Sequence, residues 1–353
     1  MKFEFTEEHQ ALRSLIAEVC EEEADPRACY DGQSTIDSTL WSALRAAGVV
    51  GVGVSEVYEG GGAGPVEQVI VAEELGRVVA AIPFSEHSAA AEAVALLGSD
   101  NQRKRLLIPL ARGESVAGIA LSSPANLAAV EARRDGTLWR LSGRIPVIPN
   151  AAAATTLVVP ARVDGQVRWF VTEAAHVTAL PTVDRTRPAA GVEFGDANAE
   201  LLSGAEITER PGELLMTLAA AEAAGAAATA LDNTARYTTE RQQFGLPIGT
   251  FQAVKHRLAD MLVAVENSRS AVYGAAWTMA DTQSAGRAVS LAQAVATGNA
   301  VTVTSDAVQL HGGIGVTWEC DLHLYLRRAK ALEATYGSPS MHRRRIAENL
   351  LDR

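Results

Sequence analysis

The sequence predicts an α+β protein whose segments run helical, then β, then helical. Three observations carry this. Apolar residues recur at helical spacing early in the chain, as at Leu12, Leu15, Ile16 and Val19. Between Ser115 and about Leu202, short runs rich in Val, Leu, Trp and Phe alternate with turn residues such as Asp135-Gly136 and Asp164-Gly165. From Glu213 onward, long Ala-rich and amphipathic stretches return. The expected boundaries are 1–113 for an N-terminal helical domain, 114–205 for a middle antiparallel β domain and 206–353 for a C-terminal four-helix bundle.

Thr6 is a natural N-cap for the first helix, and Asp25-Pro26 ends it. A second helix is expected over Ser38 to Ala47, closed by Gly48. Val49 to Val54 is a short apolar segment leading into the loop Glu59-Gly60-Gly61-Gly62-Ala63-Gly64. With no strand before it and no GK[ST] after it, that glycine run reads as a loop rather than a phosphate cradle. Helices follow over Pro65 to Val79, Ser85 to Leu97 and Asn101 to Ala111. The β domain is expected as a small barrel or sandwich, with strands at Val116 to Leu121, Leu138 to Leu141, Thr156 to Val159 and Arg168 to Val171. The C-terminal helices are expected at Leu214 to Tyr237, after Phe251, over Ala288 to Leu310, and within Tyr325 to Leu351. In the second of these, Phe251, Val254, Leu258, Leu262 and Val265 form the predicted core face.

Of the 353 residues, 48% are hydrophobic and 21% charged, which suits a globular chain of two or three domains. The net charge of −11 argues against nucleic-acid and anionic-membrane partners, because neutralising phosphate needs a basic face. Cys20, Cys29 and Cys320 show no metal-ligand spacing, and an odd number fits a reducing cytoplasm. The N-terminus has no apolar signal core, and no apolar run is expected to span a bilayer.

Two short clusters carry the chemistry. Arg241-Gln242-Gln243-Phe244-Gly245 follows the Ala-rich helix, and Gln309-Leu310-His311-Gly312-Gly313-Ile314-Gly315 follows the next Ala-rich one. Arg offers a planar fork to a pyrophosphate, Gly backbone N–H groups approach phosphate closely, and Phe offers a face to a flat ring. Together they suit an anionic nucleotide-like ligand.

The order of these clusters, followed by Arg327-Arg328-Ala329-Lys330, resembles the acyl-CoA dehydrogenase family of flavoproteins over nearly the whole chain. The segment LWSALRAAGVVGVGVSEVYEGGGAG…VAEELGRV looks like that family's N-terminal entry. In the family an R-x-x-F-G and a Q-x-x-G-G-x-G are contributed by one subunit to the FAD of its neighbour. The resemblance implies that role for Arg241, Gln243, Phe244, Gln309, Gly312 and Gly313. It also implies an acyl-CoA substrate and an electron-transfer flavoprotein or similar acceptor.

The chain departs from the family in an ordered way. Desaturation needs a carboxylate to take the α proton while hydride leaves the β carbon for flavin. The family's Y-E-G-T reads Thr335-Tyr336-Gly337-Ser338 here, so Tyr336 stands at the usual base position, and no catalytic residue is assigned. Leu215 and Met216 occupy the family's second base location. Glu333 and Glu222 are the nearby carboxylates in sequence. The flavin-holding T-E-P loop is reduced to Ser122-Ser123-Pro124-Ala125-Asn126-Leu127, and the flavin-covering W-I-T is Val147-Ile148-Pro149. Ser338 and Ser340 match the family's adenine-side Thr and Gln only weakly. What a subunit uses for its own FAD is eroded, while what it donates is kept. That pattern resembles the non-catalytic subunit of actinobacterial α2β2 steroid-CoA dehydrogenases. It implies an FAD shared with a homologous partner that carries the Glu. Two other readings stay open: a flavin-free acyl-CoA-binding or scaffold homologue, and a homomeric dehydrogenase with an unorthodox base.

Overall fold

The computed structural model describes residues 4–32, 35–121, 129–173, 175–202, 209–282 and 284–351. Contacts gather the chain into two compact units. One comprises Met1–Glu22, Val69–Ala80 and Met216–Arg353, and the other Glu23–Gln68 and Ala81–Leu215.

Of helices α1 (Glu7–Glu23), α2 (Pro26–Tyr30), α3 (Ser38–Ala46), α4 (Pro65–Arg77), α5 (Phe84–Leu97) and α6 (Asp100–Ala111), all but α2 fall close to their expected places. Their starts follow local chemistry. Asp25 and Asp37 accept the N–H groups of Ala28 and Leu40, and Ser99 with Gln102 closes a reciprocal capping box on α6. Proline at the start of α2 turns the expected stop at Asp25-Pro26 into the start of a further short helix.

The β domain is one seven-stranded sheet: β1 (Ala117–Ile119), β2 (Val130–Asp135), β3 (Leu138–Pro149), β4 (Thr156–Val163), β5 (Gln166–Thr172), β6 (His176–Leu180) and β7 (Ala189–Leu201). Its path β4-β2-β3-β7-β5 returns to β4, so the sheet closes on itself as a barrel. The ladder is antiparallel except where β1 and β2 lie parallel to β4. Leu141, Ile145, Val159, Phe170, Val192 and Phe194 fill its interior. The Asp164-Gly165 turn is a two-residue hairpin with φ of 50° and 81°, the mirror-image turn that matches strand twist. The preceding hairpin turns on Gly136-Thr137, one residue later than the expected Asp135-Gly136.

A buried histidine anchors the second unit. His87 Nε2–H donates to the Leu110 carbonyl at 3.1 Å, and the Ala117 N–H donates to Nδ1 at 3.2 Å. These two contacts fix the neutral tautomer. Trp41 packs edge-on against the ring and sends its indole N–H to the Gly113 carbonyl. Burial pushes the imidazole down to about 4, below its usual 6.5. The unfolded chain therefore binds more protons, so stability falls as pH drops from 6.5 toward 4. The expected loss from this residue is roughly 2 kcal/mol by pH 5. Urea denaturation at pH 7 and pH 5 checks it: the drop should be smaller in His87→Gln than in the unaltered chain.

In the first unit, the C-terminal helices are α7 (Arg210–Glu240, from Met216 onward), α8 (Gln252–Asp281), α9 (Gly286–His311) and α10 (Leu322–Thr335), followed by α11 (Pro339–Leu351). The expected fourth helix is thus two helices, broken at Tyr336-Gly337 where Gly337 has φ +106°. Small residues let α4 and α7 touch backbone to backbone: a Cβ on Gly76 would strike the Glu222 carbonyl, and one on Gly225 the Glu73 carbonyl. Glu73 is buried between Arg13 at 2.9 Å and Arg269 at 2.8 Å, with the Tyr273 hydroxyl donating to it. Burial alone would raise its carboxyl, but these partners outweigh it and hold the group below the usual carboxylate range.

Two expectations are corrected. Helix α7 is long and apolar enough to cross a membrane, with a window of mean hydropathy 1.6, yet 89% of that window is buried inside the protein. Alanine supplies the hydropathy and close packing uses it. The predicted core face of α8 holds only at Val265. Val254 and Leu258 are half-buried and Leu262 is exposed, while Met261, Ser268, Val272 and Tyr273 face the core.

Candidate functional site

The two clusters singled out in the sequence meet at one end of the helical bundle. The Tyr237 ring stacks on His311, with centroids 4.0 Å apart and planes 17° from parallel, and the Tyr237 hydroxyl donates to the His311 carbonyl at 3.4 Å. This ties the last turn of α7 to the last turn of α9. Neither residue had been given a role from sequence, although an aromatic one turn before Arg241 and the His inside Gln309–Gly315 were the available signals.

Beyond Glu240 the chain makes a minimal hairpin, β8 (Gln242–Gln243) against β9 (Leu246–Pro247). Its two turn residues, Phe244 and Gly245, have φ of 53° and 79°. Gly adopts this region freely, whereas Phe does so at a cost. The strained turn leaves Phe244 92% exposed, with its ring edge-on to that of Phe251 at 6.1 Å between centroids. Arg241 is exposed as well and, among the described residues, makes no ion pair with Glu240 or any other acid.

At the end of α9, Gln309, Gly312 and Gly313 are all exposed. Gly312 sits at φ +64°, ψ −139°, a conformation open in practice to glycine alone. A Cβ on Gly312 or Gly313 would meet nothing within 4 Å, so both backbones are open to an approaching group. Gly315 differs: its Cβ would lie 2.7 Å from the Val308 carbonyl, so that glycine serves packing. Burial lowers the His311 imidazole, whose Nδ1–H donates to the Ala307 carbonyl at 2.8 Å. The set therefore offers a free guanidinium fork, open backbone and an exposed ring, which fit the pyrophosphate and adenine half of FAD.

Tyr336 is not part of this set. Gln293 Nε2 donates to the Met216 carbonyl at 2.5 Å, and Thr217 Oγ1 lies 3.4 Å from Met279 Sδ. These contacts place the starts of α7 and α9 and the end of α8 together, opposite the hairpin. Helix α10 runs back along the bundle, passing Glu222 at Arg328, and Tyr336 lies eight residues on, roughly 12 Å toward that opposite end. Tyr336 is buried, and its carbonyl accepts from His342 Nε2 at 3.0 Å.

The candidate carboxylates are occupied elsewhere. Glu222 pairs with the buried Arg328 at 3.4 Å, and Arg328 also donates to the Ala80 carbonyl at 2.9 Å. Glu333 pairs with Lys330 at 3.5 Å. Leu215 is buried and, like Met216, has no ionisable group.

In the barrel, Val147 is half-exposed, Ile148 points into the core and Pro149 pairs with Ala189. None offers an indole face or a hydroxyl to a flavin ring. Residues Ser122 to Leu127 lie outside the described residues. Just after Pro149, Asn150 takes φ +56° and donates to Glu86 at 2.9 Å, while Arg187 pairs with Glu86 at 2.6 Å.

A closed β barrel set in the chain between helical segments, followed by a long-helix bundle, is an acyl-CoA dehydrogenase-type fold. Residues 6–114 match the acyl-CoA dehydrogenase N-terminal domain and residues 216–351 its C-terminal domain. The chain belongs to the acyl-CoA dehydrogenase family, FAD-dependent oxidoreductases acting on CH–CH bonds. It is 32% identical over 345 residues to acyl-CoA dehydrogenase IpdE2 of Mycolicibacterium smegmatis, covering 97% of this chain and 98% of the relative. Among solved structures, a Tcur3481-Tcur3483 steroid ACAD variant matches with TM-score 0.90 and 32% identity, covering 98% of each chain. The ChsE4-ChsE5 complex from Mycobacterium tuberculosis matches with TM-score 0.92 and 29% identity, covering 100% of each chain.

Proposed function

We propose that this chain is the non-catalytic subunit of a heteromeric FAD-dependent acyl-CoA dehydrogenase. Its partner is a homologous subunit that supplies the Glu base and the flavin-stacking barrel. This chain supplies Arg241, Gln243, Phe244, Gln309, Gly312 and Gly313 to the pyrophosphate and adenine side of the shared FAD. Bound FAD accepts the hydride that leaves the β carbon of the CoA thioester. The observation that carries the reading is the split between the two ends of one bundle. Groups suited to a neighbour's cofactor are exposed at the hairpin end, while the usual base position at the other end holds a buried tyrosine.

A steroid-derived CoA thioester, of a side chain or ring acid, is the substrate this reading favours, supported by the likeness to a steroid ACAD, with an electron-transfer flavoprotein or similar acceptor taken from the family resemblance. Cys20, Cys29 and Cys320 are thiols rather than disulfides, which suits a cytoplasmic location. The domain division that goes with this reading is 1–113, 114–205 and 206–353.

Tyrosine is a poor base at neutral pH, with a reference value of about 10. In the reconstituted complex, Tyr336→Phe should leave turnover within a few-fold of the unaltered enzyme. A loss of about 10²-fold or more with FAD still bound would make Tyr336 the base and end this reading.

A further inference from the structure

Two side chains in the bundle core carry polar atoms that the fold itself does not satisfy. Ser290 and Gln293 lie on α9, and both are fully buried. Gln293 sends its amide N–H to the Met216 carbonyl at 2.5 Å. A carbonyl only accepts, so the NH2 must face Met216 and Oε1 must face another way. Neither Gln293 Oε1 nor Ser290 Oγ has a hydrogen-bond partner. The two residues are three apart on a helix, which makes them neighbours on one face.

Nearby hydroxyls are engaged elsewhere. Thr297 Oγ1 donates to the Gln293 carbonyl at 2.7 Å, and Thr217 Oγ1 reaches Met279 Sδ at 3.4 Å. A buried acceptor without a donor bears its full desolvation penalty, and a hydroxyl beside it adds a second unmet group. Two unmet oxygens on one buried face form the polar setting in which proteins hold internal water.

We propose that Ser290 and Gln293 hold one internal water molecule between them. The water donates to Gln293 Oε1 and accepts from, or donates to, the Ser290 hydroxyl. Gln293 is thereby oriented at both ends of its amide, toward Met216 on one side and the water on the other. The first turns of α7 are pinned to α9 at the end of the bundle opposite the hairpin. This site is independent of the subunit assignment proposed above.

A crystal structure of the full chain, alone or with its partner, at about 1.8 Å tests it directly on the unaltered protein. The expected result is water density within roughly 2.6–3.2 Å of both oxygens. Absence of density, or Ser290 Oγ bonded straight to Gln293 Oε1, would overturn the proposal. A urea-denaturation cycle of Ser290→Ala, Gln293→Met and the double variant gives the second measurement. Each single change loses the same water, so the effects should be non-additive by roughly twofold or more in the unfolding constant. Additive effects contradict a shared water. Coupling without density indicates a direct contact and contradicts it too.

Discussion

Arg187→Met should destabilise the protein by about 3–5 kcal/mol, because it leaves the Glu86 carboxylate buried without its guanidinium. Both side chains are almost wholly inaccessible, at 4% for Arg187 and 0% for Glu86, and their separation is 2.6 Å. Asn150 donates to the same carboxylate from the turn that follows β3. The pair therefore fastens α5 to the end of β3 and to the chain leading into β7. Its removal should shift the denaturant midpoint far more than loss of the exposed pair of Arg133 and Asp196, whose contribution is at most about 1 kcal/mol. The double change Glu86→Leu with Arg187→Met should recover most of the loss, since a packed apolar pair leaves no buried charge. A midpoint unchanged in Arg187→Met would show that Glu86 is neutralised by other means.

If this chain shares its partner's flavin as proposed, Arg241→Ala should weaken flavin retention by the complex about ten- to a hundred-fold. A charge-assisted contact of this kind is worth roughly 1.5–3 kcal/mol. Arg241 makes no ion pair among the described residues and is exposed, so removing it should hardly alter the stability of the isolated chain. Arg241→Lys should recover only part of the retention, because an ammonium cannot reproduce the planar fork. FAD per heterodimer after gel filtration measures the effect. Full occupancy in the Ala variant, at dilutions near the dissociation constant of the unaltered complex, would refute the shared contact.

The helical elements were legible because their signals are local. The Asp37 cap, the Ser99 and Gln102 box, and the Asp164-Gly165 turn each act within a few residues. The barrel was only half legible. Strand β2, Val-Glu-Ala-Arg-Arg-Asp, carries four charges and hides its inward Val130 and Ala132 among them. Strand β7 faces the core with Ala190, Ala197 and Ala199 as well as Val192 and Phe194, and is interrupted at Gly195-Asp196 where Asp196 takes φ +65°. Small residues and a bulge erase the alternation on which strand recognition depends. The exposed Leu262 and Val263 on α8 show the opposite failure: apolar periodicity predicts a buried face without saying what buries it.

At the site, residue types and spacing gave the exposed groups, but not their arrangement. That Arg241 and Gly312 share one end of the bundle depends on the Tyr237–His311 stack, a contact between residues 74 apart in sequence. The engagement of Glu222 with Arg328 is likewise long-range, and no helical wheel could have reported it.

The division of labour between two unlike subunits is tested most directly by expressing this chain alone and together with a homologous subunit that carries the Glu and an intact T-E-P loop. FAD content and acyl-CoA oxidation with an artificial electron acceptor are then measured on both preparations. The account predicts little or no flavin and no oxidation for the chain alone, and one FAD per heterodimer with activity for the pair. A yellow, active preparation of this chain by itself would contradict it, and a flavin-free, inactive pair would contradict it equally.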